Sequence, residues 1–206
     1  MDRGGRRDYG SRGQVEGNAM MRQVMLAAAA ALALSACNQQ AGGPPLPEVQ
    51  QGAQAPMQLT PVSNVRQVQI TDENRRQLIA NIDEQLDAIG ERFASGMAPP
   101  EGFEDKVLTM QPGTDHRFIM PLSGGAQYAF IGACDGDCNN VDIELIDMRS
   151  GGVVASDVLP DDYPVVAFSP PANGDYMVRV ILQTCTAAPC YVGARALTQT
   201  GAAAPK

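Results

Sequence analysis

The chain has no tryptophan and one histidine, and aromatic residues make up only 5% of its 206 positions. A core without Trp must be built from Val, Ile, Leu, Ala and Met. A sugar-binding face, which normally stacks on rings, has few to draw on. The single His116 follows Asp115 at the start of a strand pattern and reads as a strand-end residue rather than a general base. No Gly-x-Ser-x-Gly elbow, His-Glu-x-x-His pair or phosphate loop is present. Acids are plentiful, yet nothing in the sequence selects two of them as a glycosidase-type pair. A non-catalytic protein is therefore expected. Positive charge is also scarce, with 15 Lys and Arg against 23 Asp and Glu. That argues against nucleic acid, which is bound by clustered cations, and against a polybasic grip on anionic lipid.

Long hydrophobic runs are missing as well. The apolar run Val24–Leu34 is shorter than the roughly 20 residues a spanning helix needs. It follows Arg22 and ends in small residues, the pattern of a secretory signal. Translation is expected to begin at Met20 or Met21, after an Arg- and Gly-rich stretch without periodicity. The run closes on Leu34-Ser35-Ala36-Cys37, which resembles the lipobox of bacterial lipoproteins. The resemblance implies that residues 1–36 are removed and that Cys37 carries a diacylglyceryl group and usually a third chain. Two or more chains suffice for stable anchoring, where one does not. Asn38, rather than Asp, implies sorting to the periplasmic face of the outer membrane in a two-membrane bacterium. The segment before Cys37 holds five Arg and three acids, so the mature chain has a net charge of −10.

Residues 37–70 are rich in Gln, Pro, Gly and Ala, with Pro44-Pro45-Leu46-Pro47 favouring extended geometry. This composition reads as a flexible tether. At about 3 Å per residue it would hold a domain tens of Å from the lipid. A helix is expected over 71–98. Thr71-Asp72-Glu73 suits its amino end, and Ile79, Ile82, Leu86, Ile89 and Phe93 recur on one face. That stripe either binds a partner or packs on its own domain. Gly96 and Pro99-Pro100 end it.

From residue 113 to 198 the period changes to two. Phe118, Met120 and Leu122 alternate. Tyr128 and Phe130 share a face. Val141-Asp142-Ile143-Glu144-Leu145 alternates apolar and acidic as a half-exposed strand does. Tyr176–Leu182 is the strongest strand pattern in the chain. About seven or eight strands separated by turn residues predict a mainly β, antiparallel β-sandwich, with a frayed tail at 199–206. Three stretches occur in order: Met120-Pro121-Leu122-Ser123-Gly124-Gly125-Ala126-Gln127-Tyr128, Val141–Leu145 and Gly174-Asp175-Tyr176-Met177-Val178-Arg179-Val180. Together they resemble bacterial pre-peptidase C-terminal domains. The resemblance implies a jelly-roll-like sandwich with an accessory or binding role beside secreted hydrolases. The chain departs from that family in carrying no peptidase domain.

Besides Cys37 there are four cysteines, Cys134, Cys138, Cys185 and Cys190. An even number in an oxidising compartment reads as two disulfides. Cys134–Cys138 with Cys185–Cys190 is the favoured pairing. The rival pairings would staple the two loops together, and a four-cysteine zinc site is the other use of this spacing. Asp135-Gly136-Asp137-Cys138-Asn139 begins like a calcium loop but lacks the glycine and glutamate of an EF-hand. A sandwich-edge calcium site would draw on Asp135, Asp137, Asn139, Asp142 and Asp157. The plain reading is a solvated Asp/Asn turn.

The expected function is that of a lipoprotein that binds or scaffolds another envelope component, a protein or a glycan. Carbohydrate or peptidoglycan binding is the alternative, with Tyr128, Tyr163, Tyr176 and Tyr191 as the candidate rings. A hydrolase is the third reading.

Overall fold

The computed structural model describes residues 42–60 and 62–199. Cys37, the signal segment, the start at Met20 or Met21 and residues 200–206 lie outside the described residues. Described elements run β1 (Arg66–Gln67), α1 (Asp72–Phe93), β2 (Met97–Ala98), β3 (Lys106–Met110), β4 (Thr114–Leu122) and β5 (Tyr128–Cys134). They continue through β6 (Cys138–Asp147), β7 (Val153–Asp157), β8 (Val165–Phe168), β9 (Gly174–Cys185), β10 (Ala187–Ala188) and β11 (Cys190–Gln199).

The strands form a β-sandwich. One sheet has the order β4-β9-β6-β7; the other runs β2-β11-β5-β8, with β3 also paired to β11. Counting only strands longer than two residues, first pairs with eighth, second with seventh, third with sixth and fourth with fifth, all antiparallel. Such nested pairing is a long hairpin ribbon wound into a jelly roll. Alternation turns one side of each strand inward. Met120, Leu122, Phe130, Ile143, Leu145, Val178, Val180 and Val192 fill the space between the sheets. No helix among the described residues is long and apolar enough to cross a membrane.

Helix α1 covers the outer face of the β11-containing sheet. Thr71 caps it by accepting from the Asn74 amide at 3.2 Å, with Asp72 and Glu73 in the first turn. Ile82 and Leu86 are fully buried against Ala129, Ile131, Ala133, Tyr191 and Leu197. Burying each such side chain is worth roughly 1.5–3 kcal/mol. Gly193 on β11 makes room, since a Cβ there would lie 2.3 Å from Ile82 Cγ2. Arg195 on β11 then reaches Asp87 on the helix at 2.7 Å. Packing on its own domain is thus what Ile82 and Leu86 of the stripe do. The helix ends at Phe93, five residues earlier than expected, because Met97–Ala98 leaves to pair with β11. Strand β3 also lies before the expected start of the sandwich at 113.

The largest departure is at the tether. Residues 42–60 are not a free arm; they form a strap over the outer face of the β4-β9-β6-β7 sheet. The strap starts at the β4 edge, where Gly42 donates to Asp115 O and accepts from the Arg117 amide, at 2.9 and 2.8 Å. It reaches the turn after β6, where the Gln50 amide donates to Ser150 O at 2.8 Å. Gln54 O then accepts from Val153 of β7, and the chain returns over the sheet centre through Met57. Further on, β1 pairs in parallel with β10. Having no helix or strand of its own, the strap meets its backbone hydrogen-bonding needs from the sheet. Two glycines make the docking possible. Gly43 (φ +98°) would place a Cβ 1.8 Å from Arg117 O, and Gly151 (φ +67°) one 2.1 Å from Glu48 O. Only glycine adopts such angles readily at so close an approach.

Candidate functional site

The four cysteines gather at one end of the sandwich as the bridges Cys134–Cys138 and Cys185–Cys190. Cys138 and Cys185 are register partners across β6 and β9, so the two bridged loops lie side by side. All four sulfur-bearing residues are buried. Closing loops this short is worth about 2 kcal/mol each on the chain-entropy model.

Beside the first bridge, Asp135 turns its carboxylate inward. Its Oδ2 accepts from the Tyr191 amide at 2.7 Å and its Oδ1 from the Asp137 amide at 3.2 Å. Burial pushes the Asp135 carboxyl up, while those amides pull it down. Asp137 accepts from the Thr186 hydroxyl at 2.9 Å, and Asn139 is exposed. Asp157 accepts from the Leu159 and Val165 amides at 3.2 and 2.9 Å. Asp142 accepts from Gln183 Nε2 at 2.7 Å through Oδ2, while its buried Oδ1 has no hydrogen bond. The oxygens named for calcium are thus mostly engaged in holding turns. Among the described residues no three His, Cys, Asp or Glu side chains are grouped so as to hold a metal ion.

The strap covers a charged cluster that the sequence pattern presents as a solvent face. On the outward positions of β4, β9 and β6 lie Asp115, Arg117, Arg179 and Glu144. Arg179, 2% exposed, donates through Nε to Asp115 Oδ2 and through Nη1 to Glu144 Oε2, the latter at 2.8 Å. Arg117 Nε lies 3.4 Å from Asp115 Oδ1. Two cations thus balance two anions. The strap engages this cluster through one residue: the Met57 amide donates to Glu144 Oε1 at 2.9 Å, and Met57 O accepts from Arg179 Nη1 at 2.8 Å. Neighbouring Asp142 has no cation of its own. Burial raises its carboxyl above the ordinary value, and Asp157, Glu144 and Asp161 raise it further against the Gln183 hydrogen bond. The expected half-exposed strand at 141–145 is in fact buried on both faces. The signal for this was Arg179 itself, a charge inside the strongest strand pattern, which needs a buried partner.

His116 sits at the β4 edge beside Gly42. Burial lowers its imidazole below the usual range, against the pull of Asp115. Of the four tyrosines considered as sugar platforms, Tyr128, Tyr176 and Tyr191 are core residues. Tyr163 is 43% exposed, and Phe93, at the helix end, is 45% exposed. Their rings lie 6.4 Å apart at 18°, with the Arg92 guanidinium 4.9 Å from the Phe93 ring centre. Gln85, Ala88, Ile89 and Asp162 complete a surface cavity of about 230 Å3 around them. Phe93 continues the helix stripe past the edge of the sheet it covers. Neither a family model nor a curated protein matches the chain.

Proposed function

We propose that the chain is a non-catalytic, lipid-anchored protein of the bacterial envelope that binds or scaffolds another envelope component. Cys37 is the lipid site, on the lipobox resemblance, and the outer membrane is the expected location. The observation that carries the binding reading is the exposed Phe93–Tyr163 pair. Both outer faces of the sandwich are covered by the chain itself, and Asp115, Arg117, Arg179 and Glu144 are engaged with one another. The aromatic pair and its cavity form an apolar surface of the kind that partners use. The contact is therefore assigned to the end of α1 and the β7–β8 loop, rather than to the Ile82 and Leu86 stripe.

The test is crosslinking in intact cells, followed by recovery of a C-terminally tagged chain. A recurrent protein partner, lost in the double variant Phe93→Ala and Tyr163→Ala while the fold is retained, is the expected result. Recovery of glycan without protein would instead favour the carbohydrate-binding alternative, for which Tyr163 is the exposed ring. Retention of the partner by the double variant would overturn the assigned surface. Cys37→Ser should move the protein from membranes to the soluble periplasmic fraction.

A further inference from the structure

We propose that the strapped face of the sandwich rests on the lipid surface, with helix α1 turned away from the bilayer. This rests on the lipid-anchor reading of Cys37 and adds an orientation to it. Three observations carry it. First, the strap docks from Gly42 onward, so little slack is left beyond the anchor. Five residue steps separate Cys37 from Gly42, and a fully extended chain covers at most about 3.6 Å per residue, or roughly 18 Å in all. The β4 edge where Gly42 is bonded therefore cannot stand far from the acylated residue.

Second, the strap is almost free of charge. Glu48 is the one charged residue between positions 42 and 60, in a chain with 23 acids. Of the charged side chains beneath it, Asp115, Arg117, Arg179 and Glu144 are buried and paired, and Asp142 is buried without a cation. Helix α1 on the opposite side carries six acids and three Arg over 22 residues. An anionic lipid surface repels acidic faces within about a Debye length, roughly 8 Å at physiological salt. The near-neutral face is the one that can approach it. Third, the strapped side exposes apolar side chains: Leu46 and Val49 on the strap and Ile119 on β4, each about two-fifths exposed. They are too few to bind lipid unaided, and they lie on the side that the short link to Cys37 keeps near the lipid. The strap thus serves as a footing, and the Phe93–Tyr163 pair on the helix side is left facing the periplasm.

The experiment uses the full chain, acylated in cells and reconstituted in vesicles of phosphatidylethanolamine and phosphatidylglycerol. A single added thiol, from Gln51→Cys on the strap or Glu84→Cys on the helix, carries a spin label. Both native positions are exposed. Mass spectrometry of the Cys37 peptide is read in parallel. With Cys37 acylated, the label at position 51 should be several-fold less accessible to a water-soluble nickel chelate than the label at position 84. Introducing Leu46→Glu with Val49→Glu should bring the two accessibilities together. Equal or reversed accessibilities in the acylated parent would overturn the orientation and leave the anchor standing. An unmodified Cys37 would overturn the anchor reading and the orientation with it.

Discussion

The two sheets of this sandwich are covered in opposite ways. On the β11 side the outer face is apolar, and an amphipathic helix that satisfies its own backbone lies on it. Across the molecule the outer face of the β9 sheet carries Asp115, Arg117, Arg179 and Glu144, and a proline- and glycine-rich strap lies there. The helix needs only an apolar stripe from its partner. The strap must be given hydrogen bonds, and the charged face offers them: a carboxylate for the Met57 amide and a guanidinium for its carbonyl. A segment that cannot fold alone is thus ordered by a surface that would otherwise stay wet. The contrast implies that the helix cover depends on packing and the strap cover on polar complementarity.

The largest effect is expected from Arg179→Ala. It leaves Asp115 and Glu144 buried without their shared cation, a change that costs about 3–5 kcal/mol. Urea unfolding of the purified domain should show it. The matching change on the helix side, Leu86→Ala, creates a cavity and should cost about 2–5 kcal/mol in the same assay. Here only packing is lost, so high salt should leave the deficit unchanged. A smaller effect is expected from Gly43→Ala, which meets Arg117 O and a positive φ. The cost should exceed about 1 kcal/mol, and limited proteolysis should cut the strap first while the core stays resistant. If the two covers act independently, the Leu86→Ala and Gly43→Ala effects should add to within about 0.5 kcal/mol.

The smallest effect concerns pH. Burial raises the Asp142 carboxyl above its ordinary value of 3.8, so the folded state holds that proton more tightly than the unfolded chain does. The resulting stability is full below 3.8 and is lost as pH rises through the folded value. At neutral pH the ionised group therefore opposes folding. Asp142→Asn should raise the Tm at neutral pH, and the gain should shrink as pH falls into the carboxylate range. A gain of equal size at both ends would mean that charge is not the cause.

The helix cover was legible in the sequence because a period near 3.6 can be read without knowing the partner. Ile82 and Leu86 sit where that period places them. The jelly-roll strands were legible for the same reason, with a period of two and turn residues between. The favoured disulfide pairing was legible because each bridge closes a loop at a strand end. The strap was not, since Pro, Gly and Gln carry no period and its order comes from residues more than 70 positions away, such as Asp115, Glu144 and Arg179. The same gap hid its seat. Acids alternating with Val141, Ile143 and Leu145 match a solvent-facing strand until something is known to cover them. Strand β3 was not legible because its partner, β11, lies far along the chain. The exposed pair could not be foreseen because Phe93 falls on the core stripe, and only the extent of the sheet beneath shows that it overhangs.

Native-state hydrogen exchange at the Met57 amide decides whether the strap is seated on the charged face. Its one partner is the Glu144 carboxylate, so it reports the strap seat and nothing else. Protection should lie far above that of an unstructured chain and fall to the unstructured rate in Arg179→Ala under conditions where the α1 amides remain protected. Free exchange at Met57 in the parent protein, with α1 protected, would contradict that seating and return residues 42–60 to the status of a loose tether.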